Sequence, residues 1–85
     1  MLRFILYSRS YCHLCEDMRA ALIGLQLDMP YTLDVVDVDA DSDLVARYDE
    51  LVPVLLGVKA TGEAMQLCHY FLDEAAVRAF AEAAQ

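Results

Sequence analysis

The chain has 85 residues, 14 acidic and 6 basic, for a formal net charge of −8. That length is one domain at most. The charge excludes a nucleic-acid binder, which needs a basic face against phosphate, and docking on an anionic membrane, while 59% hydrophobic residues exclude a disordered chain.

Arg3–Tyr7 is a short apolar and aromatic run ended by Ser8, which reads as a buried strand. Leu14, Met18, Ala21, Leu22 and Leu25 then recur at helical spacing and mark one face of a helix. Glu16 and Asp17 occupy its first turn, where the positive end of the helix dipole favours acids. Pro30 marks a break after it. Tyr31–Val38 is a second strand with Val35, Val36 and Val38 as its β-branched content. Asp39–Asp43 is an acidic turn, and Asp41 or Ser42 caps a short helix through about Tyr48.

Val52–Leu56 is a third strand with Pro53 at its start, where a proline is tolerated. Thr61-Gly62 supplies a hairpin turn, and Ala64–Tyr70 returns as a fourth strand. Asp73 caps a last helix with Val77, Phe80, Ala81 and Ala84 on one face. The order β-α-β-α-β-β-α predicts an α/β domain spanning residues 1–85. Its first two strands are parallel through a right-handed crossover, and its last two form an antiparallel hairpin. The result is a four-stranded mixed sheet with helices on both faces.

No segment is long and apolar enough to span a membrane as a helix. The longest nearly unbroken run, Leu51–Val58, falls far short of the ~20 residues required. The apolar stretch Phe4–Tyr7 is interrupted by Ser8 and Arg9, whereas a secretory leader needs roughly 7–15 apolar residues. A cytoplasmic protein is therefore expected. Three cysteines are too few, and odd in number, for a secreted disulfide scaffold.

Two of them form Cys12-His13-Leu14-Cys15, a C-x-x-C between a strand and a helix start. Orphan N–H groups and the dipole favour an anion at such a position. Cys12 is thus the candidate nucleophile and Cys15, about one turn along, its disulfide partner. Arg9 and His13 are cations near Cys12; Glu16 and Asp17 oppose them. The alternative is half of a tetrahedral zinc site. Its other half is hard to find, because Cys68 and His69 are strand neighbours that point to opposite faces. Cys68 reads as a small apolar strand residue, and His69 as a strand-surface residue. Tyr11 precedes the nucleophile, either walling the site or simply packing. Asp37, Asp39, Asp41 and Asp43 lack the Gly and Glu of a calcium loop and read as a solvated turn.

These residues resemble the thioredoxin superfamily and, within it, the glutaredoxins, most closely a short bacterial glutaredoxin-like family. The resemblance rests on Cys12-x-x-Cys15 after the first strand, on Val52-Pro53 opening the third, and on the element order over essentially the whole chain. It implies a cis Pro53 facing the disulfide, with Val52 offering its backbone to an extended peptide or to glutathione. The alternative for Pro53 is an ordinary trans proline at a strand start. Arg9 matches the basic residue that glutaredoxins place three positions before the nucleophile, where it helps hold a glutathione carboxylate; otherwise it is a solvated surface arginine. Two features depart from the pattern. His13 stands where glutaredoxins usually have proline. Cys68-His69-Tyr70-Phe71-Leu72-Asp73 replaces their Gly-Gly and acid, keeping only Asp73 at the capping position. Bulky side chains there are expected to weaken glutathione binding.

The expected activity is thiol–disulfide exchange with protein disulfides or glutathione mixed disulfides, by a monomer that needs no metal or organic cofactor. Glutathione enters as a co-substrate. Two other classes remain open: a redox-inert module that binds a protein partner, and a zinc or iron–sulfur carrier using the C-x-x-C.

Overall fold

A computed structural model describes residues 2–84. The strands are β1 (Leu2–Ser8), β2 (Tyr31–Asp37), β3 (Val54–Val58) and β4 (Ala64–His69), and the helices are α1 (His13–Gly24), α2 (Ser42–Tyr48) and α3 (Glu74–Ala83), with a 3-10 turn at Val38–Ala40. They form one four-stranded mixed sheet in the order β2-β1-β3-β4. β1 runs parallel to β2 and antiparallel to β3, and β3 runs antiparallel to β4. The expected element order and sheet are those observed.

Side-chain alternation along β1 sets the layers. Leu2, Phe4 and Leu6 join Met18 and Leu22 of α1 and Val77, Phe80 and Ala81 of α3 in one core. Ile5 and Tyr7 point the other way and pack with Val38 and Tyr48. Helices α1 and α3 therefore cover one face and α2 the other. Seven-residue α2 is too short to hold itself together by propensity alone, and it docks through Tyr48, stacked on Tyr7 at 4.6 Å between ring centroids.

Several boundaries differ from the sequence reading, each for a local reason. β2 stops at Asp37 because that side chain accepts the Asp39 N–H at 2.9 Å and starts the 3-10 turn. β3 begins at Val54. The N–H groups of Leu51 and Val52 both donate to the Tyr48 carbonyl, at 2.8 and 3.1 Å, and finish α2 instead of joining a ladder. The buried stripe of α1 is Cys15, Met18 and Leu22, with Leu14 and Ala21 exposed. Both stripes fit the helical period, and a disulfide-bonded Cys15 takes the inner position. Ala84 is exposed because it is the C-cap, beyond the packed turns of α3.

Two glycines are required by what surrounds them. Gly62 adopts φ +90° in the hairpin turn, a conformation costly for any other residue, and donates to the Lys59 carbonyl at 2.8 Å. A Cβ on Gly57 would lie 2.6 Å from Cζ of Phe80, so the ring packs directly on bare backbone. On β4, Leu55 faces Cys68 and Leu56 faces Gln66, which leaves Leu67 as an inserted, unpaired residue. This bulge turns Cys68 toward the α1 and α3 side.

Candidate redox site

The pairings Ser8 with Asp37, Tyr7 with Val54, and Val54 with His69 bring four strand ends together at one edge of the sheet. The loops that leave this edge carry Cys12, Val52-Pro53 and Tyr70-Phe71. Cys12 is the N-cap of α1, with φ −104° and ψ 105°, and its Sγ accepts the Cys15 N–H at 3.1 Å. It is bonded to Cys15, with the two Cα atoms 5.2 Å apart. Cys12 is half-buried and Cys15 is buried. Cys12 is thus the more exposed residue of the pair and its sulfur receives an amide hydrogen bond, while Cys15 is enclosed. Hydrogen bonding to the charged form of a group favours that form, and Cys12 Sγ is the sulfur of the pair that receives such a bond.

The remaining expected residues fall around this pair with differing engagements. Arg9 holds Asp39 at 2.6 Å and Asp49 at 2.7 Å. Its pKa is raised, first by the hydrogen bonds it donates to these two carboxylates, and the Arg9 guanidinium in turn holds the Asp39 carboxyl below its ordinary range. Three of its five N–H groups are therefore already committed to carboxylates. Tyr11 sits at φ 59° with its side chain in solvent. His13 is exposed on the first turn of α1. The Val52–Pro53 peptide bond is cis and Pro53 is buried. The Val52 N–H is committed to the Tyr48 carbonyl at 3.1 Å. Asp73 caps α3 by accepting the Ala76 N–H at 3.0 Å.

Two partners carried no signal in the sequence. Asp49 is 40 residues from Arg9 and marks no motif of its own. Tyr70, at φ 63°, donates its N–H to the Pro53 carbonyl at 2.9 Å and its hydroxyl to the Glu50 carbonyl, which staples the β4–α3 loop to the segment around Val52. The Phe71 N–H goes to the His69 carbonyl at 2.7 Å, and the Phe71 ring is exposed. Cys68 lies in the α1 and α3 core, where burial pushes its thiol pKa up. Its neighbour His69 is exposed, paired with Val54 of the opposite core. Among the described residues, no group of three or more His, Cys, Asp or Glu side chains is placed to hold a metal ion. No helix among them is long and apolar enough to cross a membrane.

Beside the disulfide lies a shallow depression of about 230 Å³ that includes Arg9, Tyr11, Cys12, Cys15, Glu16 and Arg19 in its lining. A larger groove, about 660 Å³, lies elsewhere, between α3 and the β3–β4 hairpin. A family model described as "Glutaredoxin-like domain (DUF836)" matches residues 3–82. The chain belongs to this glutaredoxin-like family. No curated protein matches its sequence.

Among solved structures, the glutaredoxin-like chain is similar to protein Ne2328 from Nitrosomonas europaea, at 39% identity and a TM-score of 0.80, over 93% of this chain and 89% of that one. It is also similar to target protein XcR50 from X. campestris, at 29% identity and a TM-score of 0.67, over 96% and 99%. A Fasciola hepatica thioredoxin shares the fold at 19% identity and a TM-score of 0.68, over 99% and 81%. A Cys12–Cys15 pair in this fold supports thiol redox chemistry in general.

Proposed function

We propose that the protein is a thiol–disulfide oxidoreductase acting on disulfides of protein substrates. The observation that carries the reading is the asymmetry of the pair at the start of α1. Cys12 is accessible and its sulfur accepts an amide hydrogen bond, whereas Cys15 is buried behind it. Cys12 thiolate attacks a substrate disulfide and forms a mixed disulfide. Cys15 then attacks Cys12, releases the reduced substrate and closes the intramolecular bond.

Glutathione is a weak ligand in this reading. Arg9 is shared by two aspartates, and the Tyr70 and Phe71 N–H groups are used within the protein. Either glutathione or a thioredoxin-type partner resets the dithiol. The protein works as a monomer in a reducing compartment such as the cytoplasm, without metal or organic cofactor.

The test is a thiol titration with the two serine variants. The native protein should lose and regain two thiols reversibly. Cys12→Ser should abolish disulfide reduction, and Cys15→Ser should accumulate a mixed disulfide with substrate. A native protein whose thiol count does not change between oxidant and reductant would reject the reading.

A further inference from the structure

Any disulfide that reaches Cys12 must cross the electrostatic field of the residues around it. The 3-10 turn, the end of α2, the start of α3 and the first turn of α1 all lie at the disulfide end of the sheet. They carry Asp37, Asp39, Asp49, Glu50, Asp73 and Glu16. The guanidinium groups on the same elements and the adjoining loop belong to Arg9, Arg19, Arg47 and Arg78, and Arg78 is paired with Glu74 of its own helix at 2.9 Å.

Arg9 is clamped by Asp39 and Asp49, so this group of three is net negative. Arg19 lines the depression beside both cysteines, but with Glu16. Arg47 lies over the Tyr48 ring on α2. The loop donors that would receive a carboxylate are also engaged, Tyr70 N–H by Pro53 and Phe71 N–H by His69. At the disulfide end of the sheet carboxylates therefore outnumber guanidinium groups.

We propose that the preferred substrates of this dithiol carry positive charge beside their sulfurs, as in a cystine segment rich in lysine or arginine. Anionic disulfides such as oxidised glutathione are disfavoured. The inference rests on the oxidoreductase reading above and names its substrate class. The chemistry is balanced by the substrate alone. Cys12 thiolate attacks one substrate sulfur, the substrate S–S bond breaks, and the other sulfur leaves as a thiolate that takes a proton from solvent. Deprotonated Cys15 then attacks Cys12, and the second substrate sulfur leaves in the same way. The substrate gains two electrons and two protons, and the chain is left as the Cys12–Cys15 disulfide. The surrounding carboxylates take no part in bond making. They act by raising or lowering the local concentration of charged disulfide, an effect that steers association by about 10- to 1,000-fold in other charged clefts and collapses with salt.

The experiment measures oxidation of the reduced protein by cystamine (cationic), hydroxyethyl disulfide (neutral) and dithiodipropionate (anionic). Each rate is divided by that of mercaptoethanol with the same compound, which removes differences in leaving group. At about 10 mM salt, where charges act over roughly 30 Å, cystamine should lead dithiodipropionate by about tenfold or more. At about 1 M, where the range is roughly 3 Å, the two should agree within about twofold. The double variant Asp39→Asn, Asp49→Asn, which leaves Arg9 unpaired, should show a smaller low-salt preference. A flat or reversed order at low salt, or an undiminished preference in the double variant, would overturn the inference. If the neutral compound reacts while the order is flat, only the substrate class fails. If none of the three oxidises the dithiol, the oxidoreductase reading itself fails.

Discussion

Brief alkylation of the fully reduced protein at mildly acidic pH should mark Cys12 well ahead of Cys15. The Cys15 N–H already points at the Cys12 sulfur at 3.1 Å. A hydrogen bond to a charged group contributes about 1.5–3 kcal/mol, and the positive end of α1 adds roughly 0.3–1 kcal/mol. The smaller sums give about 1.8 kcal/mol in favour of the Cys12 anion, or about twentyfold in thiolate population at tenfold per 1.4 kcal/mol. A more stable thiolate is a poorer nucleophile, with a Brønsted slope of about 0.4–0.5, which returns roughly fourfold of that gain. The net advantage is at least about fivefold, before the burial of Cys15 widens it further. A timed pulse of iodoacetamide, quenched and read by peptide mass mapping, measures the ratio directly. The same map should show Cys68 unlabelled until the protein unfolds, since burial raises its pKa. Equal labelling of Cys12 and Cys15, or Cys15 first, would refute the assignment of attacking and resolving sulfurs.

Three further outcomes are expected. The Asp39 carboxyl is held low by Arg9, so its contribution to stability is present above the unfolded value of about 3.9 and is lost as pH falls through the folded value. Urea midpoints of Asp39→Asn should therefore vary less with pH below about 4 than those of the native chain, and parallel curves would contradict this. Asp73→Ala removes the acceptor for the Ala76 N–H and should cost about 1 kcal/mol. For 85 residues that is a fall in Tm of about 5–6 °C, at roughly 2.1 cal/mol/K per residue; an unchanged melting curve would remove the cap from the account. Gly57→Ala places a methyl 2.6 Å from Phe80. Overpacking of about 1–3 kcal/mol outweighs the roughly 0.5–1 kcal/mol gained by replacing a strand glycine, so thermal unfolding should come earlier, and Phe80→Leu should relieve the defect.

The architecture was legible because its signals are local. Runs such as Phe4 to Leu6 and Val54 to Leu56 declare strands by composition, and Asp41 and Asp73 sit one residue before the helices they cap. The position of Cys12 between strand and helix was likewise readable, since it depends on two adjacent elements. What escaped depends on how distant loops close on one another. Arg9 is readable as a cation near Cys12, but nothing along the chain announces that Asp39 and Asp49, 30 and 40 residues away, hold it. The choice between Leu14 and Cys15 as the inner residue of α1 is equally open to the helical period. The N–H of Val52 is diverted to Tyr48 by the geometry that ends α2, which a strand-like composition conceals.

The inserted Leu67 has a consequence for how copies of the molecule meet. β4 is one of the two outer strands of the sheet, and an outer strand is where one protein can template the next. Leu67 interrupts the ladder partway along six-residue β4. A second strand laid against it would keep register for only a few residues before meeting the kink. A sheet shared between two copies would therefore be broken at that strand.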